Sequence, residues 1–193
     1  MNTTRRILAI SGSLRRASHN RALLAETQRV ADGIVVWDNY EDLALLPAYN
    51  EDLEADPGEA VLAFRQSVRS ADGILIATPE YNGSIPGVLK NAIDWASRPF
   101  GAAALVGKPV AVIGASTGQF GAAWAQADLR KSLGIAAARV LAAEFALAKA
   151  QQAFDADGQL DPTTGETLRG IVGHLIDLVD EAEREAAEDA EAA

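Results

Sequence analysis

Short apolar runs alternate along this chain with longer stretches in which apolar residues recur every three or four positions. The runs are "RILAISGS" (Arg6–Ser13), "GIVVWD" (Gly33–Asp38), "GILIAT" (Gly73–Thr78), "KPVAVIGAS" (Lys108–Ser116) and "ARVLAAEFAL" (Ala138–Leu147). Their length and continuous hydrophobicity predict buried strands. Between them, Leu23, Leu24, Thr27, Val30 and Ala31 keep helical spacing behind Ser18, a plausible N-cap. Asp56-Pro57-Gly58-Glu59 reads as a cap, a Pro at the first helical position and a Glu three residues after the cap. Val61, Phe64, Val68 and Ala71 continue that helix on one face. Further helices are predicted over Pro86–Ser97, over Ala123–Gly134 and from Asp161-Pro162 onward, the last with Leu168, Ile171, Val172, Leu175, Ile176 and Val179 in register. "NYEDLALLPAYNEDLEAD" is irregular and reads as a long surface loop.

The order βαβαβαβαβα predicts an α/β fold: a doubly wound, five-stranded parallel sheet with helices on both faces. Two strand orders are common for such sheets, and both bind ligands at the carboxyl ends of the strands, beside a switch point. Three strand-exit loops stand out there: "SGSLRRASHN", "TPEYNGS" and "ASTGQFG". The first has neither G-x-G-x-x-G nor a Walker sequence. It offers hydroxyls and an Arg (Ser11, Ser13, Arg15, Ser18, with Asn20) at a helix N-terminus, a set suited to a terminal monophosphate. It also fits a plain N-cap beside two solvated arginines. In the second loop Pro79 and Pro86 fix the backbone on either side of Glu80, Tyr81 and Asn82, which present an acceptor, an aromatic face and an amide. Gly83 permits a positive φ or a close approach by a flat ring. The third loop adds hydroxyls and Gly through Ser116 and Gly118.

Composition narrows the chemistry. The 193 residues include no Cys, so disulfides, thiolate metal sites, iron–sulfur clusters and a cysteine nucleophile are excluded. His19 and His174 match no metal spacing. The net charge is −10, and Asp180–Ala193 supplies seven acids against one Arg. One domain is expected over residues 1–180, with an acidic extension over 181–193. An acidic chain without a Lys/Arg cluster is not a nucleic-acid binder. No apolar run approaches the roughly 20 residues of a membrane helix, and the N-terminus lacks a secretory h-region, so a cytoplasmic location is expected.

"GSLRRASHN" together with "ATPEYNGSIPGVLKNAIDW" closely resembles the NAD(P)H-dependent FMN reductases, a flavodoxin-like family of quinone, azo-dye and chromate reductases. The resemblance extends from about Ile7 to the last helix and includes "GKPVAVIGASTG" and "FDADGQLDPTTGE". It implies FMN as cofactor and NADPH or NADH as donor. Its first loop implies FMN phosphate contacts at Ser13, Leu14, Arg15, Ser18 and Asn20, with Ser11 beside them. Its second loop implies a cradle for the isoalloxazine at Pro79, Glu80, Tyr81, Asn82 and Gly83, bordered by Ser116 and Gly118. The flavin would do the chemistry, so no catalytic side chain is expected. The acceptor would be a quinone, an azo or nitro compound, chromate or free flavin. An electron-carrier flavodoxin without small-molecule turnover and a catalytically silent FMN sensor remain as alternatives. The resemblance also implies a homodimer or homotetramer, and the helix with Trp95 and the following Phe100 are candidates for that interface.

Overall fold

The computed structural model describes residues 4–192. Strands β1 (Arg6–Ser11), β2 (Val36–Tyr40), β3 (Gly73–Thr78) and β4 (Pro109–Ala115) form the body of a parallel sheet. Its order is β2-β1-β3-β4, continued by β5 (Arg139–Val140) and β6 (Ala146–Leu147), both paired with β4. This is the flavodoxin-like order, and it resolves the choice between the two doubly wound arrangements. Every residue of β3 and β4 is buried, as expected of strands covered on both faces.

Side chains alternate across the sheet and feed two cores. Leu8 and Ile10 pack with Val61, Phe64, Trp95, Leu129 and Leu133 beneath α2 (Glu59–Ser70), α3 (Gly87–Ala96) and α4 (Ala123–Ile135). Ile7 and Ala9 pack with Leu23, Leu75, Ile113, Leu168 and Leu175 beneath α1 (His19–Val30) and α6 (Pro162–Ala192). A short α5 (Ala150–Ala153) follows β6. Each fully buried Leu or Ile contributes about 1.5–3 kcal/mol, so both layers are needed for a stable sheet.

Several boundaries differ from expectation. Helix α2 starts at Glu59 behind Gly58 (φ 81°), so Asp56 is not its cap. The long loop contains two 3₁₀ turns, Leu43–Leu45 and Glu51–Leu53. It is pinned to α3, because Trp95 Nε1 and Asn91 Nδ2 both donate to the Pro47 carbonyl (2.8 and 2.9 Å). Trp95 is wholly buried, so it belongs to the core and not to an exposed rim. The last predicted strand is split. Between β5 and β6 the chain leaves the ladder, and Arg130 of α4 fills the gap: its Nη2 donates to the carbonyls of Val112 (3.1 Å) and Ala143 (2.8 Å). Helix α6 continues through the acidic segment to Ala192. Arg5 ties it down beyond its last core residues by pairing with Asp180 and Glu183 (2.6 Å each), and Arg139 pairs with Glu185.

Candidate functional site

The switch point lies between β1 and β3, from which the chain winds outward in opposite directions. The loops leaving β1, β3 and β4 converge there on a cavity of about 170 Å³. A larger depression of about 590 Å³ lies between the ends of α3 and α4. No strand-exit loop reaches that larger space, so its size does not mark the chemistry.

The first loop is built by short bonds. The Gly12 N–H donates to the Ala77 carbonyl (2.8 Å), which draws this loop against β3. A Cβ on Gly12 would stand 2.9 Å from Leu89 Cδ2 and 3.3 Å from Pro79 Cδ, so the first and second loops touch because this residue has no side chain. Ser18 Oγ accepts from the N–H groups of Asn20 (3.2 Å) and Arg21 (3.4 Å), and it caps α1 as its spacing predicts. The remaining first-turn N–H groups and the positive end of the helix suit an anion. Ser13 and Ser18 are buried, Arg15 is exposed, and all three line the cavity.

Asn20 is also buried and lines the cavity, but its amide is already engaged. Nδ2 donates to the Ala115 carbonyl and Oδ1 accepts from the Ala115 N–H, both at 2.9 Å. The residue therefore clips α1 to the end of β4 and holds the third loop.

The second loop is a tight reversal. Tyr81 and Ser84 exchange backbone bonds (2.9 and 3.1 Å) around Asn82 (φ 53°) and Gly83 (φ 76°). Two positive φ angles in succession are what an Asn-Gly hairpin turn requires. Glu80 does not present a free carboxylate. Its Oε2 accepts from the N–H groups of Trp124 (3.0 Å) and Ala125 (3.1 Å) in the first turn of α4. That helix has no capping side chain of its own, since its N-cap position is Ala122 in a left-handed conformation (φ 65°). Ser84 Oγ adds a second tie by donating to Asp128 Oδ2 (2.8 Å). Thus α4 grips the second loop at both ends of its turn.

The structure brings Ser13, Arg15, Ser18, Asn20, Pro79, Glu80, Tyr81 and Ser116 to one cavity. Ser11 instead lines a cleft between α1 and the end of β2. Leu14 is half-exposed outside the cavity, and Asn82 and Gly83 stand at the exposed turn tip. Gly118 lies outside it too, with its N–H given to Ser116 Oγ (3.0 Å). His19 and Thr117, which no motif singles out, also face the cavity; position within the strand-exit loops is their only signal. Trp124 joins the site through Glu80, a contact that a separation of 44 positions hides from the sequence. Among the described residues no cluster of His, Asp or Glu could hold a metal ion, and no helix is long and apolar enough to cross a membrane.

These features fit a flat phosphorylated cofactor. The cavity has a helix N-terminus, two hydroxyls and a cation at one end, and at the other Pro79 and Tyr81 with backbone groups held by the turn. Comparison with known proteins agrees. Residues 5–152 match the family model for NADPH-dependent FMN reductase. A 2-hydroxy-1,4-benzoquinone reductase from Burkholderia sp. is 48% identical over 125 residues, covering 65% of this chain and 68% of that one. An NAD(P)H-dependent FMN reductase from Pseudomonas aeruginosa is 48% identical over 158 residues, covering 80% and 84%. Among solved structures, FerB, a flavoenzyme NAD(P)H:(acceptor) oxidoreductase from Paracoccus denitrificans, superposes with a TM-score of 0.83 at 38% identity, over 93% of this chain and 99% of that one. The chain belongs to the NADPH-dependent FMN reductase family, and it is an FMN-dependent oxidoreductase that takes its electrons from NAD(P)H.

Proposed function

We propose that the acceptor is a small planar oxidant, a quinone first of all, reduced at the cavity between the three strand-exit loops. The convergence of those loops on one space, with Arg15 and the α1 N-terminus at one end and the half-exposed Tyr81 at its mouth, carries the reading. The similarity to a benzoquinone reductase supports the acceptor class. Ser13, Ser18 and Arg15 hold the FMN phosphate, and the backbone from Pro79 to Tyr81 borders the isoalloxazine. FMN, when bound, would supply the redox chemistry, a two-electron relay from the nicotinamide to the acceptor. Pro79 and Tyr81 would border the ring, and donor and acceptor would use the open mouth of the cavity in turn. Tyr81 offers that mouth an aromatic wall. We place the reaction in the cytoplasm, where reduced nicotinamide is available.

The active form is a homodimer across α3 and α4. On that face Phe100 is 95%, Ile135 80% and Trp124 55% exposed, a costly set for a monomer. Phe120 packs at a tilt against Trp124 (4.9 Å between centroids) next to the second loop, so the face runs up to the site.

A fluorescence titration tests the site. FMN should bind far more tightly than riboflavin, and Arg15→Ala should weaken FMN by about 1.5–3 kcal/mol, the value of a hydrogen bond to a charged group. Equal affinity for FMN and riboflavin would sink the phosphate assignment. Parallel double-reciprocal plots with NADPH and a benzoquinone are expected, and a lack of turnover would favour an electron carrier. Light scattering should give at least twice the 20.3 kDa chain mass.

A further inference from the structure

Arg15 and Arg16 are consecutive, exposed, and face different spaces. Arg15 lines the phosphate cavity, whereas Arg16 lines an open groove of about 520 Å³ behind it. The two spaces share Ser18 and His19 in their walls, so they adjoin. The groove has a rim carrying the cations Arg16 and Arg21, with His19 between them, and a floor of Ala22, Ala25 and the half-buried Phe154.

The charge of Arg16 on this rim is unspent. Apart from Arg15 in the phosphate cavity, the other arginines of the body meet a carboxylate or a backbone carbonyl, as Arg29 meets Glu26 and Arg130 meets Val112. Among the described residues the Arg16 guanidinium has no such acceptor. Arg21 reaches Glu41 only at 3.7 Å, and its buried Nε has no partner. FMN carries one phosphate, which the first cavity serves. A second cationic site beside it implies a second phosphate-bearing group, and an apolar floor with one aromatic ring suits a purine. The volume lies in the usual range for a ligand pocket.

We propose that this groove binds the phosphorylated adenosine end of NADPH, with Arg16 meeting the 2′-phosphate and Phe154 facing the adenine. The inference rests on the reading that FMN fills the adjoining cavity. It makes Arg16 a determinant of NADPH over NADH, outside the flavin shell.

The test uses FMN-loaded protein and calorimetry with 2′,5′-ADP and 5′-AMP as probes. The first should bind and the second should bind at least tenfold more weakly. Arg16→Ala should weaken 2′,5′-ADP and raise the KM for NADPH, each by about tenfold or more, as the loss of one charge-assisted hydrogen bond implies. FMN content, kcat and the KM for NADH should stay close to the parent's, and Arg16→Lys should restore part of the loss. Failure of 2′,5′-ADP to bind the parent, or equal binding to Arg16→Ala, would overturn the proposal. So would FAD binding more tightly than FMN with the gain lost in Arg16→Ala, since the groove would then serve the flavin's own adenosine. A protein that NADPH cannot bleach at all contradicts the functional reading instead, and is told apart by that result.

Discussion

Glu80 lines the cavity but commits its carboxylate to α4, and replacing it gives the sharpest test. Its carboxylate accepts from two N–H groups of α4, a helix that starts at Ala122 and lacks a cap of its own. Loss of an N-cap costs about 0.5–2 kcal/mol, and a carboxylate near a helix N-terminus adds about 0.3–1 kcal/mol. These contributions overlap, so Glu80→Ala should lower unfolding stability by about 2 kcal/mol. Glu80→Gln keeps an acceptor oxygen and loses only the charge, so about 1 kcal/mol is expected. Urea denaturation of the FMN-free protein measures both. Because Glu80 lies between Pro79 and Tyr81, its release should also loosen the cavity wall, and FMN affinity should fall severalfold in step with stability. If Glu80→Ala leaves stability within about 0.5 kcal/mol of the parent, the size of a typical surface change, the cap is not what the carboxylate does. A loss of FMN binding at unchanged stability would mean that the side chain contacts the flavin directly.

Two further outcomes follow from buried polar contacts. Asn20→Asp replaces the donor facing the Ala115 carbonyl by an acceptor, so stability should drop by about 1–3 kcal/mol and FMN binding should weaken as the third loop frees itself, both readable in the same titrations. Glu26 is buried, and its hydrogen bond to Arg29 lowers its pKa; burial opposes this and the Leu160 N–H assists it. A lowered folded pKa contributes stability above the unfolded carboxylate value of about 4.3, lost as pH falls through the lower folded value. Acid unfolding of Glu26→Gln should therefore have a shallower pH dependence below about pH 4.3 than the parent, and parallel curves would refute the assignment.

The periodic part of this fold is legible in the sequence because burial is what the pattern records. The limits of β3 match the apolar run "GILIAT", and Ser18 caps α1 where its spacing puts a cap. Errors arise where a distant contact overrides the local pattern. "ARVLAAEFAL" is apolar enough for one strand, but at its break Arg130 stands in for the ladder, taking the Val112 carbonyl of β4 and the Ala143 carbonyl within the gap. Trp95 has the composition of an interface and the position of a core residue, because the Pro47 carbonyl meets its indole N–H. At the site, the identities of the loops are readable and the partners are not. Asn20 and Glu80 both belong to recognisable motifs, yet each directs its side chain to a backbone about 95 or 44 residues away, and hydropathy encodes neither contact.

The divided β5–β6 edge bears on how the molecule stays separate from its neighbours in a crowded cell. An outer strand with a continuous row of unpaired amides is a template on which another chain can extend the sheet. Here that row is cut into two pieces of two residues each, too short to guide a partner strand into register. The guanidinium of Arg130 closes the break from the inside, taking the Val112 carbonyl of β4 and the Ala143 carbonyl where strand pairing is missing. The interruption that defeats a simple hydrophobic reading of the sequence thus guards this edge of the sheet against growth.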